Sequence, residues 1–198
     1  MPLKIAARAV ALTSVFVVTA AALSACGDGG TPDRAGTSFV SGEEGIQTIP
    51  KENRKSVGKI KGETLHGDSL DLSSYRGKIV VINAWGSWCA PCRAEAPYLN
   101  EVAKELKGDG VAFVGINTRD ADKRLPQAFE KDYSITYPSL YDPTGRIILS
   151  GFPKGTLSLQ GVPSTVVLDR EGKIAARAFG EVNYSRLHKM IDPVLAEK

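Results

Sequence analysis

Residues 79–92 read IVVINAWGSWCAPC, and the rest of the chain can be interpreted around them. The continuous apolar, β-branched run over 79–85 predicts a strand buried on both faces, as in a parallel sheet. A short turn leads to Cys89 and Cys92 at the expected start of a helix. There, free backbone N–H groups and the helix dipole favour a thiolate. A second thiol three residues further on can reach the first, so the pair is typical of a two-electron redox switch.

Spacing alone leaves two other uses of this cysteine pair open. A C-x-x-C can be half of a zinc site, but zinc needs a second pair of ligands. The chain has three cysteines and two histidines, with no second C-x-x-C and no H-x₃₋₅-H, which argues against zinc. The other alternative is an inert structural disulfide. His66 and His188 are predicted to face solvent rather than to bind a metal.

The pattern outside this segment predicts one mixed α/β domain over 56–198. Hydrophobic residues make up 42% and charged residues 24% of the 198-residue chain, which excludes a wholly disordered protein. A helix over 94–107 and a second buried strand over 111–117 complete a right-handed βαβ unit. The other predicted elements are a hairpin at 59–72, a helix at 126–133, a strand at 137–141, a helix from Asp142, a hairpin at 165–179 and a last helix capped by Asn183.

The first 25 residues are predicted to be a signal peptide. Lys4 and Arg8 precede an apolar, Ala-rich run over 9–23, and no acidic residue occurs before Asp28. A permanent membrane helix over 9–27 is the alternative, because this run is nearly long enough to span a bilayer. The small residues at its end favour cleavage.

Residues 23–26 read LSAC, which resembles the lipobox of bacterial lipoproteins. The resemblance implies cleavage before Cys26, acylation of its thiol and anchoring of the mature chain to the lipid bilayer. Residues 26–55 are predicted to be a flexible linker, because small, polar and charged residues dominate them. Cleavage removes Lys4 and Arg8 and lowers the formal net charge from +3 to +1. That charge gives no support for a nucleic-acid partner.

Residues 56–198 resemble the TlpA/ResA branch of the thioredoxin superfamily in several motifs beyond the cysteines. The resemblance implies a thioredoxin-like α/β fold, with a mixed central sheet flanked by helices, an N-terminal β-hairpin and a central helical insert over 118–163. The matching features are Trp88 before the first cysteine, Pro97 in the following helix, the GVPST loop at 161–165 and Gly180 after the last hairpin.

The same resemblance assigns roles to individual residues. Cys89 is expected to be the exposed attacking thiol and Cys92 the buried resolving thiol, and the two form the redox-active disulfide. Pro163 is expected to be cis and to lie against that disulfide. Backbone groups of Val162 are expected to pair with an extended substrate segment. Trp88 and Pro91 are expected to contribute to the same substrate surface.

One position departs from the thioredoxin pattern. Thioredoxins have a buried Asp six residues before the first cysteine, where this chain has Asn83, which cannot take up a proton. In the TlpA/ResA branch an acid three residues past the second cysteine is thought to assist, and Glu95 occupies that position. Cys92 and Glu95 share a helix face, so Glu95 can accept the proton of the resolving thiol. The alternative is a solvated first-turn Glu favoured by the helix dipole.

The resemblance implies a lipid-anchored thiol-disulfide oxidoreductase on the extracytoplasmic face of the bacterial cytoplasmic membrane. Reduction is the expected direction, toward protein disulfides in cytochrome c maturation or copper-site assembly, with electrons from a membrane donor protein. Apart from the redox-active disulfide, no cofactor and no metal are expected. The alternatives are a disulfide-forming oxidant, a copper-binding Sco-like chaperone, and a peroxiredoxin-like peroxidase, whose Pro and Thr positions hold Ile82 and Gly86 here.

Overall fold

The computed structural model describes residues 39–197 as strands and helices around one large sheet. The strands are β1 Val40–Ser41, β2 Ile46–Thr48, β3 Lys61–Glu63, β4 Ser69–Asp71, β5 Ile79–Trp85, β6 Val111–Thr118, β7 Ser139–Asp142, β8 Ser164–Leu168 and β9 Ile174–Phe179. The α-helices are α1 Ala90–Glu105, α2 Arg124–Asp132, α3 Arg146–Gly151 and α4 Tyr184–Leu195. Seven strands form a mixed sheet in the order β1-β2-β9-β8-β5-β6-β7, and β3 and β4 form a separate hairpin. The predicted mixed α/β class is confirmed.

Strand β5 lies near the middle of the sheet, and all seven of its residues are buried. It pairs in parallel with β6 and antiparallel with β8. Alternate side chains enter two apolar clusters, with Val80 and Ile82 in one and Ile79 and Val81 in the other. Packing on both sides holds this strand in place, so the turn at its carboxyl end delivers the cysteine pair to a defined position.

Helix α1 begins four residues before the predicted start. Cys89 caps it, and Pro91 occupies the first turn, where the missing proline N–H removes no helical hydrogen bond. The sequence predicts a start at residue 94, after the second cysteine. The expected apolar stripe is present, since Leu99 and Val102 are buried in the core.

The N-terminal boundary of the domain differs from the prediction. The sequence predicts a flexible linker over 39–55, but β2 pairs with β9 and β1 pairs with β2, so both extend the main sheet. Phe39, Ile46 and Ile49 are buried, so these three apolar side chains attach the segment to the core. The prediction of a linker is therefore wrong for 39–55. The signal peptide, Cys26 and the start of the linker lie outside the described residues.

The insert over 118–163 contains α2, β7 and α3, and β7 adds a parallel edge strand beside β6. The Asp142 side chain bonds to the first turn of α3, because its Oδ2 accepts from the N–H groups of Ile147 and Ile148 at 2.9 and 3.2 Å, but the N-cap residue is Gly145 rather than Asp142. The helix itself starts at Arg146 because a turn through Gly145, with φ of 73°, intervenes. Within 39–197, no helix is both long and apolar enough to span a bilayer.

Candidate active site

Cys89 and Cys92 form a disulfide between the carboxyl end of β5 and the first turn of α1. The two sulfur atoms are 2.11 Å apart and the Cα atoms 5.3 Å apart. The backbone N–H of Cys92 donates to the Sγ of Cys89 at 3.2 Å. When the disulfide opens, this donor and the helix N-terminus stabilise negative charge on Cys89 more than on Cys92. The geometry therefore favours Cys89 over Cys92 as the site of a thiolate.

Cys89 is not exposed in this oxidised structure, in contrast to the expectation. Its residue exposure is 3%, and that of Cys92 is 1%. Both cysteines pack into an apolar cluster with Trp85 and Phe129, and Val162 packs against it from the neighbouring loop. The sulfur atoms thus lie beneath adjacent loops, because the cluster closes around them.

The Val162–Pro163 peptide bond is cis. Pro163 directly precedes β8, and the N–H of Gly180 donates to its carbonyl oxygen at 3.0 Å. The carbonyl oxygen of Val162 lies 3.7 Å from the Sγ of Cys89. An open cleft of about 350 Å³ adjoins this loop and is bordered by Pro163 and Phe179. Backbone and apolar surface for an extended segment are therefore available beside the disulfide.

Glu95 is buried beside Asn83 rather than solvated. Its exposure is 1%. Asn83 donates through Nδ2 to its Oε1 at 2.8 Å, and the N–H of Val182 donates to its Oε2 at 3.0 Å. Burial raises the pKa of Glu95 to about 8, although the two hydrogen bonds oppose the shift. The alternative of a solvated first-turn Glu is excluded by this position.

Solvent reaches the neighbourhood of Glu95 through a groove other than the cleft beside Pro163. A groove of about 530 Å³ extends to it between α1 and the start of α4, bordered by Tyr98 and Arg186. The Glu95 carboxyl group bonds to Asn83 and Val182 rather than to Cys92, which lies one helical turn before it on α1. The carboxyl group thus lies between the resolving cysteine and a route to water.

Two residues after β6 also contribute to the site, and the sequence analysis missed both. Asp120 is buried and accepts from the N–H and Oγ of Ser87 at 2.9 and 2.5 Å. The Arg119 guanidinium lies 4.6 Å from the centroid of the Trp88 ring. The predicted βαβ unit indicates their position indirectly. Its two parallel strands, β5 and β6, are neighbours, so residues that follow β6 lie at the same edge of the sheet as the cysteine pair.

Trp88 and Pro91 are both exposed beside the disulfide, with Trp88 at 44%.

The two histidines lie outside this site. The His66 side chain is 61% exposed and pairs with Glu130, whereas the His188 side chain is only 20% exposed and bonds to Asp192, so it does not face solvent as expected. Within 39–197, no group of three or more potential ligands is arranged to hold a metal ion.

Similarity to known proteins supports the chemistry that this geometry indicates. A family model described as AhpC/TSA matches residues 54–177. The chain belongs to the AhpC/TSA family. It is 28% identical over 148 residues to the thiol-disulfide oxidoreductase ResA of Bacillus thuringiensis subsp. konkukian, over 73% of this chain and 82% of that protein.

Solved structures of other proteins agree with this family assignment. A DsbF homologue from Corynebacterium diphtheriae is 43% identical, with a TM-score of 0.70 over 77% of this chain and 94% of that one. A secreted thiol-disulfide isomerase from Corynebacterium glutamicum is 31% identical, with a TM-score of 0.72 over 78% and 94%. The thioredoxin-like fold is confirmed. This AhpC/TSA family member is a thiol-disulfide oxidoreductase of the ResA type.

Proposed function

We propose that this protein is a lipid-anchored, extracytoplasmic reductase of protein disulfides. The observation that carries the proposal is the Cys89–Cys92 disulfide with Pro163 on one side and the buried acid Glu95 on the other. A nucleophile, a backbone edge for substrate and a proton acceptor thus lie around one bond. An inert structural disulfide needs neither a backbone edge for substrate nor a proton acceptor.

The reduction proceeds by two exchanges of a disulfide bond. The Cys89 thiolate attacks one sulfur of the substrate disulfide, the substrate bond breaks, and the other substrate sulfur leaves as a thiolate. Cys92 then loses its proton and attacks the Sγ of Cys89, which releases the second substrate thiolate. Two electrons have moved to the substrate, whose thiolates take up protons, and the enzyme is left with the disulfide observed here. A dithiol donor protein restores the reduced enzyme by the reverse exchange.

Glu95 is proposed to accept the proton of Cys92. An ordinary thiol has a pKa of about 8.5, and burial raises the pKa of Glu95 to about 8. A carboxylate with a raised pKa is a stronger base than an ordinary one, so the ionised form of Glu95 is better suited to take a proton from a thiol. The groove beside Tyr98 then lets Glu95 return the proton to solvent.

The direction and the location of the reaction are proposed from the residues and the relatives together. The LSAC segment ending at Cys26 supports a lipid anchor outside the cytoplasm, and one solved relative is described as secreted. The resemblance to TlpA/ResA proteins supports reduction of apocytochrome c or copper-assembly proteins, with electrons from a membrane protein. Labelling with an alkynyl fatty acid tests the anchor, since Cys26→Ser should lose the label.

The reduction potential of the Cys89–Cys92 pair tests the direction. The full-length protein in detergent is equilibrated in dithiothreitol or glutathione buffers and followed by tryptophan fluorescence. We expect a value near or below about −240 mV, close to the thioredoxin range. A value above about −150 mV would instead make the protein a disulfide-forming oxidant and overturn the proposal.

The substrates are identified by trapping the mixed disulfide. Cys92→Ser leaves the attacking thiol intact but prevents resolution, so substrates stay bound to Cys89. Cys89→Ser is the matched control, because it removes the attacking sulfur from the same site. Substrates captured by the first variant and not by the second are the ones attacked by Cys89. A copper titration of the reduced protein tests the Sco-like alternative, with His188→Ala as its control.

A further inference from the structure

Arg119 lies at the carboxyl end of β6 and contacts the loops on both sides of the disulfide. Its guanidinium lies 4.6 Å from the centroid of the Trp88 ring, on the loop before Cys89. Its Nη1 lies 3.5 Å from the carbonyl oxygen of Leu159, on the loop that leads to Pro163. A substrate segment between these loops would therefore pass close to an exposed positive charge.

The backbone of Arg119 is in the left-handed region, with φ of 62°. This conformation is costly for most residues, whereas Gly and Asn adopt it more readily. For the backbone, Arg is therefore a less favourable residue at this position than Gly or Asn. The strain points to a function of its side chain, since the backbone alone is better served by another residue.

The Trp88 ring that Arg119 covers is closely held. A Cβ on Gly86 would come within 2.6 Å of the Nε1 and Cε2 atoms of the ring, so the indole lies directly against the Gly86 backbone. Asp120 fixes the intervening Ser87 through two hydrogen bonds. Arg119 therefore completes a rigid wall next to Cys89.

The described charges around the disulfide are unbalanced. Three segments surround it: 86–93, 117–123 and 158–163. Of their basic residues, Arg93 donates to the carbonyl oxygen of Ser87 at 3.3 Å, Lys123 pairs with Glu63, and Arg119 has no acidic partner within 39–197. Their acidic residues are Asp120, which is 4% exposed, and Asp122, which pairs with Arg124. The exposed Glu181 lines the groove that leads to Glu95 and follows Gly180, which lines the cleft beside Pro163. On the side of Trp88, the opening thus presents positive charge to an incoming segment.

We propose that Arg119 is a positioning and specificity residue of this site, which holds Trp88 in place and favours substrate segments with an acidic side chain next to the reacting cysteine. The inference rests on the proposed reduction of protein disulfides and names the chemistry of the segment that is recognised. Arg–Trp stacking restrains both partners, and complementary charge raises the rate of productive encounter.

The test uses two synthetic disulfide peptides that differ only in Asp or Lys beside the reacting cysteine. We compare kcat/KM of the full-length wild type with those of Arg119→Asn and Arg119→Lys. Asn accepts the backbone conformation but removes stacking and charge, whereas Lys keeps the charge. Arg124→Gln is the control, because it removes an 87% exposed charge elsewhere.

We expect the wild type to prefer the Asp peptide by about fivefold at low salt, and less at high salt. Arg119→Asn should lose most of this preference with an unchanged or higher Tm, Arg119→Lys should keep it, and Arg124→Gln should behave as wild type. Equal preference in wild type and Arg119→Asn overturns the inference. If Arg119→Asn lowers the Tm, the inference is judged by the other two results. It is overturned if Arg119→Lys loses the preference for the Asp peptide or if the wild-type preference does not weaken at high salt. Failure of the wild type to reduce either peptide would instead refute the proposed function.

Discussion

Two buried carboxylate clusters lie in different parts of the molecule, and they hold their acid groups in opposite charge states. Glu95, beside the cysteine pair, accepts its described hydrogen bonds from two neutral donors, Asn83 and the N–H of Val182. Burial raises its pKa to about 8, against the weaker opposing effects of these hydrogen bonds and of the charge on Arg186. The carboxyl group is therefore largely protonated near neutral pH, although its hydrogen bonds favour the ionised form.

The second cluster joins the N-terminal segment to the end of the chain. Arg54, with a side chain 6% exposed, lies 3.2 Å from Asp169 and 2.6 Å from Glu197. Its hydrogen bond lowers the pKa of Glu197. A directly bonded arginine thus favours the charged form of Glu197, whereas Glu95, which has no ion pair within 39–197, favours the neutral form. A directly bonded arginine is therefore what distinguishes the two clusters.

The largest expected effect is the pH dependence of stability that comes from Glu95. Its folded pKa of about 8 exceeds its unfolded value, so the folded state holds the proton more tightly. The resulting stabilisation is full below about pH 4.5 and is lost as pH rises through about 8. It is on the order of 5 kcal/mol. Urea unfolding of the oxidised protein from pH 5 to 9 should show this decline in the wild type, and Glu95→Gln should lack it.

Arg54→Met should destabilise the protein by about 3 kcal/mol at pH 7, because it leaves two largely buried carboxylates without their cation. The reduction potential should not change, since the cluster is remote from the cysteines. Arg124→Met, which breaks an exposed pair with Asp122, is the control and should leave Tm unchanged. If both variants unfold alike, Arg54 does not hold a structural cluster.

Glu95→Gln should slow the resolution step by about 10²-fold, as expected for loss of a proton acceptor. The rate of attack by Cys89 on a small disulfide should change little, because Gln keeps the shape of the side chain. Stopped-flow measurement of mixed-disulfide formation and decay separates the two steps. The wild-type decay rate should rise with pH as Glu95 ionises, whereas the Gln variant should rise only at the higher pH at which Cys92 loses its proton without assistance. Equal slowing of both steps would mean that Glu95 only supports the local structure.

The redox site illustrates what could be predicted from the sequence. The cysteine pair, the strand before it and the proline loop are local patterns, so each carries its own signal. The burial of Glu95 has no such local signal, because it depends on Asn83 and on Val182, which is 87 positions away. A solvated Glu and a buried one look the same in the sequence.

The same reason explains the other differences. Cys89 is covered by residues from distant loops, and Arg119 reaches Trp88 only because β5 and β6 are neighbours. The segment 39–55 has a linker-like composition, but a few apolar side chains and Arg54 are enough to attach it. Long-range contacts thus decide the role of residues whose local context is neutral.

The smallest expected effect comes from the second cluster and has the opposite sign to that of Glu95. The folded pKa of Glu197 is lowered by Arg54, so its stabilisation is present above the unfolded value of about 4.5 and is lost as pH falls through the folded value. Because the side chain is 27% exposed, Glu197→Gln should cost only about 1 kcal/mol at pH 7. The difference from wild type should vanish in acid, where the Glu95 contribution is complete. A Glu197→Gln penalty that persists at acid pH would show that packing, rather than charge, holds the end of α4 against Arg54.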